Sequence, residues 1–326
     1  MTRAAPIRVG TRGSTLALWQ TERVRALLHA AGYATERVEI RTTGDMVQNV
    51  PLSQIGSRAL FTRQLDDAML EGRIDLAVHS LKDLPTELPA GIALAAMGER
   101  EDPRDALVGR GPIRWNDLPH GGAVATSSLR RRAQLLRLRP DLRVSDIRGN
   151  VDTRLAKLDA NPEWTAILLA AAGLIRLGLR HRIGECLPVD VMLPAPGQGA
   201  LAATVRDGEA AVWQAARAAL HHAATALAVT AERAFLRRLE GGCQVPVAAY
   251  AELARSGGDV ALRLTGRVVS LGGERTAEGT STAAAVDEAA AAAIGTELAE
   301  RLLGEGAAEI LAEVRSGAAA PGVSEP

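Results

Sequence analysis

Short apolar runs alternate with amphipathic stretches through the first two thirds of the chain, the pattern of strands followed by helices. Ile7-Arg8-Val9-Gly10 predicts a strand, and the spacing of Leu16, Leu18, Val24, Leu27 and Leu28 predicts a helix that Gly32 stops. Further strands are expected at 38–40, 74–78 and 92–94, with an amphipathic helix over 60–70. Residues 43–59 are polar, contain Gly and Pro, and show no period. About 15 residues is long for a plain connection, so a flap or lid is expected there.

A charged stretch at 99–104 with Pro103 reads as a first crossing between units. A second strand–helix set follows: strands at 123–125, 142–147 and 166–169, with helices opening at Ser127, Val151 and Gly173. Leu193-Pro194-Ala195-Pro196-Gly197-Gln198-Gly199 reads as a second crossing. From His222 the pattern changes to a long helix reaching Leu239, apolar β runs at 245–253 and 260–269, and an Ala-rich helix over 283–303. The expected fold is therefore α/β: two lobes forming a hinged clamshell, residues 1–99 with 200–220 and residues 105–193, plus an α+β domain over 222–326. Residues 316–326 are expected to fray.

Composition narrows the function. The chain of 326 residues has zero formal net charge and 2% aromatic residues, which disfavours a nucleic-acid surface built from a basic face and stacking platforms. No run has signal-peptide or membrane-spanning character, and the cysteines, Cys186 and Cys243, form neither a disulfide framework nor a metal-ligand spacing. A cytoplasmic location is expected.

Positive charge is written almost wholly as arginine; only Lys82 and Lys157 are lysines. Lys82 lies in His79-Ser80-Leu81-Lys82-Asp83-Leu84-Pro85, after an apolar strand, where α/β proteins build sites. A compact ammonium is not interchangeable with a planar guanidinium, although an ordinary surface ion pair has the same signature. Arginines recur at strand-to-helix junctions: Arg12 before Gly13-Ser14, Arg130 and Arg131 after Thr126-Ser127-Ser128, Arg148 before Gly149-Asn150 with Arg154 one turn on, and Arg176 after Ala172-Gly173. Helix N-termini favour anions, and the guanidinium fork pairs with carboxylates. Any one junction reads equally as a plain helix cap; several on one edge of two lobes predict a cleft for a ligand bearing several acid groups. Glu240-Gly241-Gly242-Cys243-Gln244-Val245-Pro246 offers a thiol on a double-glycine turn, suited to covalent attachment. Cys186 reads as a small core hydrophobe.

These segments resemble the porphobilinogen deaminase (hydroxymethylbilane synthase) family. The similarity is carried by Thr11-Arg12-Gly13-Ser14 with Leu16-Ala17-Leu18-Trp19-Gln20, Thr43-Gly44-Asp45, 76–85, 99–105, 126–131, Arg148-Gly149-Asn150-Val151-Asp152-Thr153-Arg154, 193–200 and 240–246, in family order. The resemblance implies a monomeric cytoplasmic transferase of tetrapyrrole (haem, porphyrin) biosynthesis, with clamshell lobes like type II periplasmic binding proteins. It would condense four porphobilinogen molecules with loss of ammonia and release hydroxymethylbilane, on a dipyrromethane cofactor held by a thioether to Cys243. It further implies Asp83 and Lys82 as catalytic residues. Around the cofactor it places Ser14, Ser80, Thr126, Ser128, Arg130, Arg131, Arg148, Gly149, Arg154, Gln198 and Gly199. Lys82 and Asp83 would also contact the cofactor, and Arg12, Gln20, Arg148, Asn150, Arg154 and Arg176 would bind substrate, with Phe61 stacking on a pyrrole or serving the core.

The chain departs from the family at Gly56-Ser57-Arg58-Ala59-Leu60-Phe61, where Gly-Gly-Lys-Gly-Leu-Phe is common. Altered loop dynamics rather than lost activity is the expectation. Two rival readings stay open on residues alone: a clamshell sensor binding a polycarboxylate without turnover, and an aldolase-like enzyme using Lys82 as a Schiff-base nucleophile.

Overall fold

A computed structural model describes residues 5–41, 62–239, 245–256, 259–284 and 287–317. The expected flap at 43–59, Phe61 and the Cys243 turn lie outside them. Three sheets organise the chain. The first has strand order β2-β1-β3-β10-β4, from β1 (Ile7–Thr11), β2 (Thr35–Glu39), β3 (Leu76–Ser80), β4 (Ile92–Met97) and β10 (Leu201–Arg206). β1 runs parallel to β2 and β3, while β10 is antiparallel to both β3 and β4. The second has order β7-β6-β8-β5-β9, from β5 (Asp105–Val108), β6 (Ala123–Ala125), β7 (Arg143–Ser145), β8 (Trp164–Ala170) and β9 (Glu185–Cys186). Here β6 is parallel to β7 and β8, and β5 antiparallel to β8 and β9. Each sheet thus takes in an antiparallel strand that follows a crossing, so two stretches of chain join the lobes.

Helices cover both faces of each sheet, which is why the strands read as continuous apolar runs rather than alternating ones. In the first lobe, α1 (Thr15–Ala30) and α6 (Ala210–Leu220) pack Val24, Leu28, Ala215 and Leu220 on Val9, Leu76 and Val78. On the other face α2 (Arg63–Leu70) packs Leu65 and Met69 against Ile74 and Ala77. In the second lobe, α3 (Leu129–Leu138) sets Leu135 against Val124 and Leu168. On the opposite face α4 (Val151–Ala160) and α5 (Ala171–Arg176) set Leu155, Leu158 and Leu174 against Ile167 and Leu169.

The C-terminal domain is an antiparallel sheet, β11 (Val247–Ser256), β12 (Asp259–Val269) and β13 (Thr276–Ala283), packed against α7 (Ala223–Arg238), α8 (Glu288–Leu302) and α9 (Ala308–Arg315). Its helix over 288–302 starts later than the sequence pattern suggests. Asp287 caps it, accepting from Ala290 N at 2.8 Å, and Ala283, where the pattern would open the helix, ends β13 instead. β13 is Thr-Ala-Glu-Gly-Thr-Ser-Thr-Ala, a mostly exposed edge strand without an apolar run to announce it. β5, β10, α6 and α9 likewise carry no separate signal in the sequence pattern.

Candidate functional site

β3 delivers the chain to a single 3-10 turn, Leu81–Asp83, before Pro85. Leu81 and Leu84 are buried, which anchors the turn and leaves Lys82 and Asp83 half-buried at the junction of the lobes. Lys82 Nζ donates to Gln198 Oε1 at 3.3 Å. Burial pushes the Lys82 ammonium down to about 8; Asp83 and Asp105 oppose that shift, and Arg131 and Arg130 add to it.

Asp105, fully buried at the start of β5, organises what surrounds Lys82. Arg130 Nη1 donates to Asp105 Oδ2 at 2.7 Å, and Arg131 donates to Oδ1 through Nε at 3.0 Å and Nη2 at 2.7 Å. Gln198 Nε2 donates to the same carboxylate at 2.9 Å and to the Pro103 carbonyl at 2.8 Å. Burial alone would raise the Asp105 carboxyl; the two guanidiniums and their hydrogen bonds outweigh it and hold the group well below the usual carboxylate range. Arg130 and Arg131 also reach the carbonyls of Leu193 (2.7 Å) and Leu168 (2.9 Å). Much of their donor capacity is therefore internal, and α3 buries two arginines because a buried carboxylate and carbonyls are there to receive them.

The remaining junctions of the second lobe are less satisfied. Ser128 caps α3, accepting from Arg131 N at 3.5 Å, and Thr126 Oγ1 accepts from Ser128 N at 3.3 Å. Asn150 stands at the N-cap of α4 without a side-chain capping bond, which leaves that helix end open. Gly149 before it has φ 121°, and a Cβ there would lie 2.7 Å from Thr153 Cγ2. Arg148 Nη1 is buried with no hydrogen-bond partner among the described residues, while Lys157 Nζ donates to the Arg148 carbonyl at 3.0 Å. Arg154 Nε donates to the Gly149 carbonyl at 2.8 Å. Burial, then the charges of Arg131 and Arg148, push Arg154 down to about 10, with Asp83 partly offsetting them. Cations outnumber carboxylates here, and a buried unpartnered donor is costly. A ligand carrying acid groups fits.

Other expected residues stand at the edges of this cluster. Ser14 caps α1, accepting from Ala17 N at 3.4 Å, and Gln20 Nε2 donates to Ser80 Oγ at 2.8 Å. Arg12 acts on His79, a buried imidazole that burial and then this charge push down to about 4. Arg176 is turned toward the second crossing, donating from Nη2 to the Gly199 carbonyl at 2.5 Å and lying over the Trp19 ring at 5.8 Å. Gly199 has φ 93°, and a Cβ there would meet the Glu101 carbonyl oxygen at 2.3 Å. Cys186 is half-buried in β9 against apolar side chains, and burial raises its thiol.

Four residues that hold this arrangement have no expected role from the sequence pattern. Asp105 is one; its signal in the sequence is a carboxylate opening the apolar run Ala-Leu-Val. Arg100, Glu232 and Arg233 are the others. Glu232 occupies the apolar stripe of α7 with Ala228 and Phe235, a polar residue at a core position. It accepts from Arg100 Nη1 at 2.6 Å, Gly197 N at 2.7 Å and Ala251 N at 2.7 Å.

Residues 7–214 match the family model described as "Porphobilinogen deaminase, dipyromethane cofactor binding domain", and residues 226–304 match "Porphobilinogen deaminase, C-terminal domain". The chain is 52% identical over 309 residues to a porphobilinogen deaminase of Rubrobacter xylanophilus, covering 94% of this chain and 97% of that protein. It is 49% identical over 310 residues to one of Geobacter metallireducens, covering 94% of each. Among solved structures it is similar to the methionine-binding protein MetQ, with a TM-score of 0.42 and 12% identity, covering 65% of this chain and 89% of that one. The chain belongs to the porphobilinogen deaminase family.

Proposed function

We propose that the chain is a hydroxymethylbilane synthase, a transferase that joins four porphobilinogen molecules head to tail with loss of ammonia and releases the linear product by hydrolysis. The observation that carries this reading is the carboxylate of Asp83 set beside Lys82 and Arg154, at an arginine cluster in which Arg148 keeps a buried donor with no partner among the described residues. When bound, a dipyrromethane group attached to Cys243 supplies the primer. Its acid side chains suit the open donors of Arg148 and Arg154, the uncapped N-terminus at Asn150, and Thr126, Ser128, Gly149, Ser14, Ser80, Gln198 and Gly199 around them.

Porphobilinogen brings two carboxylates, which Arg12, Arg148, Arg154 and Arg176 are suited to bind, together with Gln20 and Asn150; Phe61 is read from the sequence alone as a further substrate contact. Loss of ammonia leaves positive charge on the pyrrole nitrogen. Asp83 stabilises that cation and takes up the proton that must leave after carbon–carbon bond formation. Lys82, a point charge next to Asp83, holds a substrate carboxylate. Arg130 and Arg131 act chiefly by fixing Asp105 and the start of α3, with Arg131 adding charge to the cluster. The domains are read as 1–99 with 200–220, 105–193 and 222–326, in a monomeric cytoplasmic enzyme acting on small molecules.

The test is intact mass and turnover of freshly purified protein with porphobilinogen. Wild type should carry a two-pyrrole adduct and release ammonia and hydroxymethylbilane. Cys243→Ala should be folded, unmodified and inactive, and Asp83→Asn should lose about 100-fold or more in kcat with its fold intact. An unmodified wild-type mass without ammonia release would overturn the reading.

A further inference from the structure

Arg233, on α7 of the C-terminal domain, reaches out of its own domain to the segment that follows Asp83. Its Nη1 donates to the Leu84 carbonyl at 3.4 Å, and its Nη2 donates to Pro85 O at 2.7 Å and Thr86 O at 3.2 Å. Those carbonyls belong to irregular backbone that no strand or helix satisfies. The side chain is half-buried and has no salt bridge among the described residues. Burial, then the nearby Arg237, push it down to about 10. A desolvated guanidinium without a counter-ion is a poor choice for stability alone, and an apolar side chain of similar length would fill the space at less cost.

The same helix grips the turn from its apolar side. Leu81 and Leu84 pack in one cluster with Ala226 and Val229. Next to Arg233, Glu232 accepts from Gly197 N, and the following residue, Gln198, accepts from Lys82 Nζ. α7 therefore fixes the backbone on both sides of Lys82 and Asp83, and it ends at Arg238, shortly before Cys243 in the chain.

We propose that Arg233 is a positioning residue for the reaction: by binding the carbonyls of 84–86 it fixes the turn bearing Lys82 and Asp83 against the helix that leads to Cys243. The inference rests on the reading of Asp83 as the acid–base group. Misplacement of a reacting group by about 1 Å can cost about 100-fold in rate, so a lost tether here should appear in kcat more than in KM.

The experiment compares wild type, Arg233→Met, Arg233→Lys, Asp83→Asn and the Arg233→Met/Asp83→Asn double variant, each as holoenzyme whose loading is verified by intact mass. Arg233→Met should lose roughly 10- to 100-fold in kcat with KM little changed. Arg233→Lys, which keeps one charge and fewer donors, should recover part of that loss. In the Asp83→Asn background the Met substitution should add little, because a group acting through another is non-additive with it. Wild-type kcat in Arg233→Met with only a lowered melting temperature would overturn the inference, as would fully additive losses. If Arg233→Met does not fold, wild-type kcat in Arg233→Lys serves the same purpose. Full turnover in Asp83→Asn alone would overturn the reading of Asp83 and this inference with it, whereas an inert Asp83→Asn beside a fully active Arg233→Met would overturn the inference only.

Discussion

Both lysines of this arginine-rich chain serve the same neighbourhood: Lys82 meets Gln198, and Lys157 supports the Arg148 carbonyl. For Lys82 the environment has a consequence for pH. Burial lowers its folded-state value from 10.5 to about 8, so its ammonium is lost as pH rises through about 8. If that charge holds a substrate carboxylate, kcat/KM for porphobilinogen should fall along a basic limb near pH 8, since this parameter reports the free enzyme. Lys82→Arg stays protonated and should lose the limb, at a lower plateau because a planar fork replaces a point charge. A basic limb unchanged in Lys82→Arg would assign it to another group.

Single elements carry costs that their folding pattern alone does not require. α2 buries Asp66 with Leu65, Ala68 and Met69 in the first lobe. Burial is the main cause that pushes its carboxyl up from 3.8 to about 6, and Asp67 adds to it. A raised acid binds more protons folded than unfolded, so the cost of its charge is full above about pH 6 and absent below 3.8. Asp66→Asn should therefore stabilise the protein by about 1–3 kcal/mol at neutral pH, with the gain in melting temperature shrinking to nothing by pH 3.8. An equal gain at both ends of the range would assign it to something other than charge burial. In the second lobe α3 solves the same problem with partners, since Asp105 receives its two buried arginines.

Across the whole molecule, polar networks tie the C-terminal domain to both lobes. Toward the first crossing, Glu232 binds Arg100, whose Nε donates to the Gln198 carbonyl at 2.8 Å and whose guanidinium lies 5.0 Å over the Tyr250 ring. Toward the second lobe, Arg267 Nη1 donates to Gln134 Oε1 at 2.7 Å, and Gln134 Nε2 donates to the Leu193 carbonyl at 3.0 Å. The Arg100 and Glu232 side chains are only 11% and 0% exposed. Removing one charge from such a buried pair costs about 3–5 kcal/mol. Glu232→Gln should lower the chemical-denaturation midpoint by a corresponding amount, and a change below about 1 kcal/mol, the scale of an exposed pair, would show that the contact contributes little.

The amino-acid pattern by itself determined the class of fold and where charged side chains gather. Apolar strands before amphipathic helices require two covered sheets, and Lys82, Asp83 and the junction arginines stand where strands end, because local periodicity and helix-end chemistry are properties of adjacent residues. Short or weakly apolar elements escaped it: β5 is four residues long, and β13 is largely Thr, Ser, Ala and Gly. Tertiary structure alone decided which arginines are taken up internally and which keep open donors. Arg130 and Arg131 look like Arg148 in sequence, yet Asp105, 25 and 26 residues away, engages the first two, while Arg148 keeps a buried nitrogen without a partner among the described residues. Only the fold brings Arg233 to carbonyls 147–149 residues distant. Charge pairing depends on separation in space, and separation in space is what a linear pattern does not contain.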